Sequence, residues 1–178
     1  MKRVTFLLTL FASALFISCE GPAGPPGFDG LDGQDGINIL GKVLEIEDDF
    51  TFENDYRIFY EFPTSVEVFE SDIVLVYILW EVAEDDVDVW RLLPQTLIVD
   101  QGLLQYNYDH TFFDVSIFLE SDFDLGLLGP GDTDNQVFRI AIVPAEYGQG
   151  ARFDRSNMQQ VMDLLNVEEK DISRIILD

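Results

Sequence analysis

The sequence predicts a mainly β protein: an antiparallel β-sandwich of about seven or eight strands with a short C-terminal helical segment, preceded by a signal peptide and an extended Gly-x-y spacer. Three observations predict it. Between Lys42 and Pro144 apolar residues alternate with polar ones at period two, as in half-buried strands. Turn residues punctuate that region every ~8–12 residues. After Ser156 the period changes to that of a helix. A closed β-barrel is the alternative architecture.

Met1-Lys2-Arg3 is a short basic start, and Val4 to Ile17 is mostly apolar. That run has signal-peptide length and is shorter than the ~20 residues a spanning helix needs. Phe16-Ile17-Ser18-Cys19 follows, and Cys19 is the sole cysteine of the chain. This tetrad resembles the lipobox of bacterial lipoproteins, with Phe16 in place of the usual leucine. The resemblance implies cleavage between Ser18 and Cys19 and lipid attachment at Cys19. Two acyl chains already anchor stably, and the resemblance implies three. It also implies export to the bacterial cell envelope. Glu20 differs from the aspartate that signals inner-membrane retention in some lipoproteins, so the outer membrane is expected. With one cysteine, no intramolecular disulfide is available and the core must supply the stability.

Gly21, Gly24, Gly27, Gly30, Gly33 and Gly36 hold one register. At ~7% background glycine, such phasing arises by chance on the order of 10⁻⁷. The tract resembles collagen, in which only glycine fits the axis of three packed chains. Its prolines are Pro22, Pro25 and Pro26, and Asp29, Asp32 and Asp35 would stack as repelling carboxylate rings in a trimer. A monomer with an extended spacer is therefore expected, with a trimer through this tract as the alternative. Residues 19–38 are the lipidated cysteine and spacer, after a signal at 1–18 and before a globular domain at 39–178.

Two motifs in this region fail on spacing. The three aspartates recur every third residue, whereas an EF-hand loop needs ligands at every second. Gly36 to Lys42 mimics a phosphate loop, but Val43 replaces the required hydroxyl residue and a strand rather than a helix follows.

The expected strands are Lys42–Glu47, Tyr56–Phe62, Ile73–Glu81, Val87–Leu93, Gln95–Val99, Leu103–His110, Asp114–Glu120 and Gln136–Val143. Val74 to Trp80 is continuously apolar, which predicts a central strand covered on both faces. Asp100-Gln101-Gly102 predicts a hairpin with Gly102 at positive φ. Asp85-Asp86 and Gly129-Pro130-Gly131-Asp132 mark further turns. Ser156-Asn157-Met158-Gln159 reads as a capping box. Met158, Val161, Met162 and Leu165 then share one helical face, and Asn166 closes the helix. Ile172, Ile175 and Ile176 fit a second short helix, and Arg174–Leu177 also fits a strand.

Asp88-Val89-Trp90-Arg91-Leu92-Leu93-Pro94-Gln95-Thr96 and Asp134-Asn135-Gln136-Val137-Phe138-Arg139-Ile140 resemble stretches of small bacterial lipoproteins that carry collagen-like tracts. With the lipobox and spacer, the resemblance covers most of the chain. It implies a type of protein and attaches no activity. Trp90 and Arg91 read as a hairpin packing signature.

The formal net charge is −24, and loss of Lys2 and Arg3 with the signal makes the mature chain more negative still. Such a surface repels phosphate backbones, so nucleic acid is not an expected partner. It also repels anionic lipid, so membrane attachment falls to the covalent anchor. His110 is the sole histidine, which removes histidine-cluster metal sites and leaves little for nucleophilic triads. A non-catalytic protein without a cofactor is expected.

Three functions fit. The first is a binding or adhesive domain displayed on the spacer toward a surface protein or glycan, with Tyr106, Tyr108 and His110 as a stacking platform on one strand face. The second is a structural or accessory subunit of an envelope complex. The third is a carboxylate-dependent hydrolase, which needs two acids in a cleft. Separately, the acidic turns with Asp85, Asp86 and Asp88 and with Asp132 and Asp134 would pool oxygens around Ca²⁺ if they met.

Overall fold

The computed structural model describes residues 41–150 and 153–177. The expected signal peptide, Ser18, Cys19 and the Gly-x-y spacer lie outside the described residues. Among the described residues nine strands form two sheets: β1 (Lys42–Asp48), β2 (Arg57–Glu61), β3 (Ile73–Ala83), β4 (Val87–Leu92), β5 (Gln95–Val99), β6 (Gly102–His110), β7 (Asp114–Ser121), β8 (Gln136–Val143) and β9 (Arg174–Ile176). The first sheet has the order β4-β3-β8-β1-β9, the second β2-β7-β6-β5. Three helices join them: the single turn α1 (Pro130–Thr133), α2 (Ala145–Gly150) and α3 (Met158–Leu165). The expected sandwich is present.

The alternation explains the layering. Val74, Val76 and Ile78 of β3 face the other sheet and pack with Ile46, Ile140, Leu104 and Ile117. Leu75 and Tyr77, from the same strand, face the opposite way and pack with Val161, Met162 and Leu165 of α3. The continuous apolar run is therefore a strand with an apolar layer on each side, as its composition predicts. The α3 layer is held further by the Tyr77 hydroxyl, which donates to the Arg155 carbonyl at 2.5 Å.

Local chemistry sets the boundaries. Gly102 has φ +151°, and a Cβ there would meet Asp122 Oδ1 at 2.2 Å. That oxygen accepts from the Leu103 N–H at 2.8 Å, so the β5–β6 hairpin needs glycine at this point. The helix cap differs from the expected one. Asn157, not Ser156, is the N-cap, and its side chain accepts from the Gln160 N–H. Ser156 is drawn away because its hydroxyl donates to Asp154 Oδ1 at 2.7 Å. Asn166 closes α3 in the left-handed conformation at φ 54°. The last residues form a 3₁₀ turn, Glu169–Asp171, and then β9, which pairs parallel to β1. The strand alternative for Arg174–Leu177 is the one adopted.

Candidate binding cleft

The expected aromatic platform does not form. Tyr106 is buried, 3% exposed, and its hydroxyl donates to the Asp132 carbonyl at 2.7 Å. Tyr108 packs against the same inter-sheet core and donates to the Val74 carbonyl. Burial pushes both phenols above their ordinary pKa. His110 is exposed at the strand end, its ring stacked on Tyr108 at 6.3 Å. The shared strand face is real, but it points inward, because Leu104 on the same side of β6 is fully buried. Tyr106 offers no exposed ring to a ligand, and Tyr108 is half-buried with His110 stacked on it.

The acidic turns are placed differently from each other. Asp85 and Asp86 sit in the turn between β3 and β4 with φ of 64° and 56°, and Asp88 lies in β4. The Asp132 carbonyl holds Tyr106, and Asp134 Oδ1 accepts from the Thr133 hydroxyl at 2.8 Å. Among the described residues no group of three or more His, Cys, Asp or Glu side chains is arranged to hold a metal ion. The pooled Ca²⁺ site drawn from Asp85, Asp86, Asp88, Asp132 and Asp134 is therefore not gathered in this structure.

What the fold does build is a cleft of about 690 Å³ between β4 and the start of α3. One wall is the run Asp86–Trp90; the other comes from Asp154 and the residues that cap and open α3. Arg139 of β8, Met162 and Glu169 also line it. Arg139 is 3% exposed and Glu45 is 5% exposed, two charges inside an otherwise apolar layer. They are directly paired across β1 and β8.

The pair belongs to a larger network. Arg139 Nε donates to Glu45 Oε2 at 2.8 Å, while Nη1 and Nη2 donate to the two oxygens of Glu169 at 2.8 and 2.6 Å. Arg174 Nε donates to the other Glu45 oxygen at 2.7 Å, and its Nη1 donates to Glu47 at 3.0 Å. The Arg139 guanidinium lies 4.1 Å from the centre of the Trp90 ring. Burial alone pushes the Glu45 carboxyl up; hydrogen bonds and charge from Arg174 and Arg139 outweigh it and hold the pKa below its ordinary value. Burial likewise pulls Arg139 down, and Glu169 and Glu45 more than restore it. Both groups stay charged, so Trp90 stacks on a guanidinium that two carboxylates hold in place.

The two tryptophans have separate roles. Trp90 is half-buried on the α3 side, and its Nε1 is a buried donor without an acceptor among the described residues. Trp80 packs against the inter-sheet core and carries the Arg91 guanidinium at 3.8 Å. Trp90 and Arg91 thus mark packing on opposite faces of β4, each against a different partner. The cleft takes in Asp86 and Asp88 of the expected acidic turn, but its other walls were not expected from the sequence. The available signal was Arg139 inside the apolar run Val137–Val143, a charge that must find partners if that strand is central.

With this geometry in view, comparison with family models, curated proteins and solved structures finds no match to the chain.

Proposed function

We propose that this chain is a lipid-anchored cell-envelope protein that displays a non-catalytic β-sandwich binding domain on a Gly-x-y spacer, mounted through Cys19 and held at the outer membrane. The observation that carries the binding half is the cleft between β4 and α3, with its aromatic wall set on a buried ion network. Arg139 commits its charge to Glu45 and Glu169, so it serves as scaffold. A pre-organised cleft of this kind favours recognition, since little ordering is needed when a ligand arrives. The anchor half rests on the resemblance at Phe16-Ile17-Ser18-Cys19 and on the position of the sole cysteine.

The test is fractionation. Cys19→Ala should move the protein from the detergent phase to the soluble fraction. A variant that stays membrane-bound would remove the anchor from the account.

A second reading, an accessory subunit of an envelope complex, is favoured by a different observation. Phe112 and Phe113 at the β6–β7 turn are 49% and 62% exposed, with ring centres 4.1 Å apart. Exposed aromatics in contact are suited to a protein partner. Phe112→Ser with Phe113→Ser should dissociate such a complex while leaving the fold intact; an unchanged complex would speak against this reading.

A further inference from the structure

We infer that the cleft is a strand-addition site: the open edge of β4 takes an extended peptide segment bearing Lys or Arg at alternate positions, supplied by another protein. The inference rests on the binding reading above and names the class of partner.

β4 ends the first sheet, and among the described residues it pairs with β3 alone. In an antiparallel strand, alternate residues turn their N–H and C=O away from the partner. On the outer side of Val87–Arg91 these groups take no protein partner among the described residues. They form a template for one more strand.

All of Asp86, Val87, Asp88, Val89 and Trp90 border the cleft. Successive side chains of a strand point to opposite faces, so a cavity over one face would touch every second residue. A cavity bordered by five in a row reaches the backbone of β4, and Arg139 and Met162 carry it on over the sheet face beside α3. Five residues of pairing span ~17 Å, enough for a short peptide.

Charge selects the occupant. Asp86, Asp88, Asp154 and Glu169 line the cleft, and Arg139, its one basic residue among the described ones, is already paired with Glu45 and Glu169. The remaining field is acidic and suits ammonium or guanidinium groups. The same charges disfavour a second copy of this chain, because antiparallel pairing of β4 with itself would set Asp86 opposite Asp88 when centred on Val87, and Asp88 opposite its own image when centred on Asp88. A basic segment from a different protein is the occupant that satisfies both the edge and the field.

The test uses the full-length protein in non-ionic detergent micelles and calorimetric titration with three synthetic heptapeptides. One alternates Lys and Val, one has the same sequence with alternate backbone amides N-methylated, and one alternates Glu and Val. The Lys-Val peptide should bind, the N-methylated form at least about tenfold more weakly, and the Glu-Val peptide not at all. Asp88→Lys should weaken Lys-Val binding at least about tenfold, whereas Glu70→Lys, on the loop before β3, should leave it unchanged. Asp88 is exposed, and circular dichroism checks that its variant is folded. Equal binding of the methylated peptide would reduce the effect to bare charge attraction and overturn the inference. So would equal effects of the two charge reversals, absence of binding, or self-association through β4 in sedimentation. These failures leave the anchor standing, because the Cys19→Ala fractionation tests it separately.

Discussion

Arg139 and Glu45 face each other across β8 and β1 in direct register, joined by a 2.8 Å hydrogen bond between side chains that are each about 95% withdrawn from solvent. Two opposite charges placed in the apolar layer under α3 compensate each other, and each keeps a second partner, Arg174 for Glu45 and Glu169 for Arg139.

Removing one partner should therefore be costly and removing both cheap. Arg139→Ala should lose about 1–3 kcal/mol of unfolding free energy, because Glu45 loses one of its two guanidinium partners and keeps Arg174. The double variant Arg139→Met, Glu45→Leu should recover most of that loss, because Arg174 and Glu169 are exposed enough to be solvated when released. Urea denaturation of the three proteins measures it. A double variant no more stable than Arg139→Ala would mean that the network does more than neutralise two buried charges.

The same pair predicts an acid limb. Glu45 has a native pKa below the ordinary carboxyl value of 4.5. Between those two values the unfolded chain binds more protons, so stability rises with pH there. The contribution of Glu45 is complete above about pH 4.5 and is lost as pH falls through its lower native pKa. Glu45→Gln should flatten the stability profile in that window relative to wild type. An unchanged acid limb would assign the transition to other carboxyls.

Gly102→Ala tests the β5–β6 hairpin. Its φ of +151° is unfavourable for any L side chain, and the added Cβ meets Asp122 Oδ1 at 2.2 Å, which also holds the Leu103 N–H. A loss of about 1–3 kcal/mol is expected, with the fold retained. A neutral outcome would show that the Asp122 side chain can leave without cost.

Tyr106→Phe separates a core tyrosine from a ligand-facing one. The hydroxyl donates to the Asp132 carbonyl, so its removal should cost about 0.5–1.5 kcal/mol. It should not alter binding in the β4 cleft, whose walls exclude Tyr106. Loss of ligand binding without loss of stability would restore the platform reading.

The strands were legible because alternation and turn residues are local signals. β5 and β8 have the expected bounds, and the other six differ by one or two residues at an end. Tyr56 illustrates why: it has strand composition but takes φ 51° to turn into β2. The inward direction of Tyr106 was also readable in principle, since Gln105, Asn107 and Asp109 occupy the opposite face of β6. The cleft was not legible. It depends on Arg139 meeting Glu45, 94 positions away, and Glu169, which is brought back by the turn after α3. Register between distant strands is set by the packed whole, and no period in the sequence encodes it. β9 escaped a firm assignment for the same reason, because its partner is β1 at the other end of the domain.

β4 and its cleft are the proposed working surface of an envelope-displayed binding domain. Amide hydrogen exchange of the full-length protein tests it most directly, comparing protein in its native envelope with protein purified in detergent. The outward amides of Val87–Leu92, unpaired among the described residues, should exchange more slowly in the envelope, where a bound strand covers them. Equal exchange of those amides in both samples, with protection appearing at the Phe112–Phe113 turn instead, would contradict the account and move the working surface to the opposite sheet.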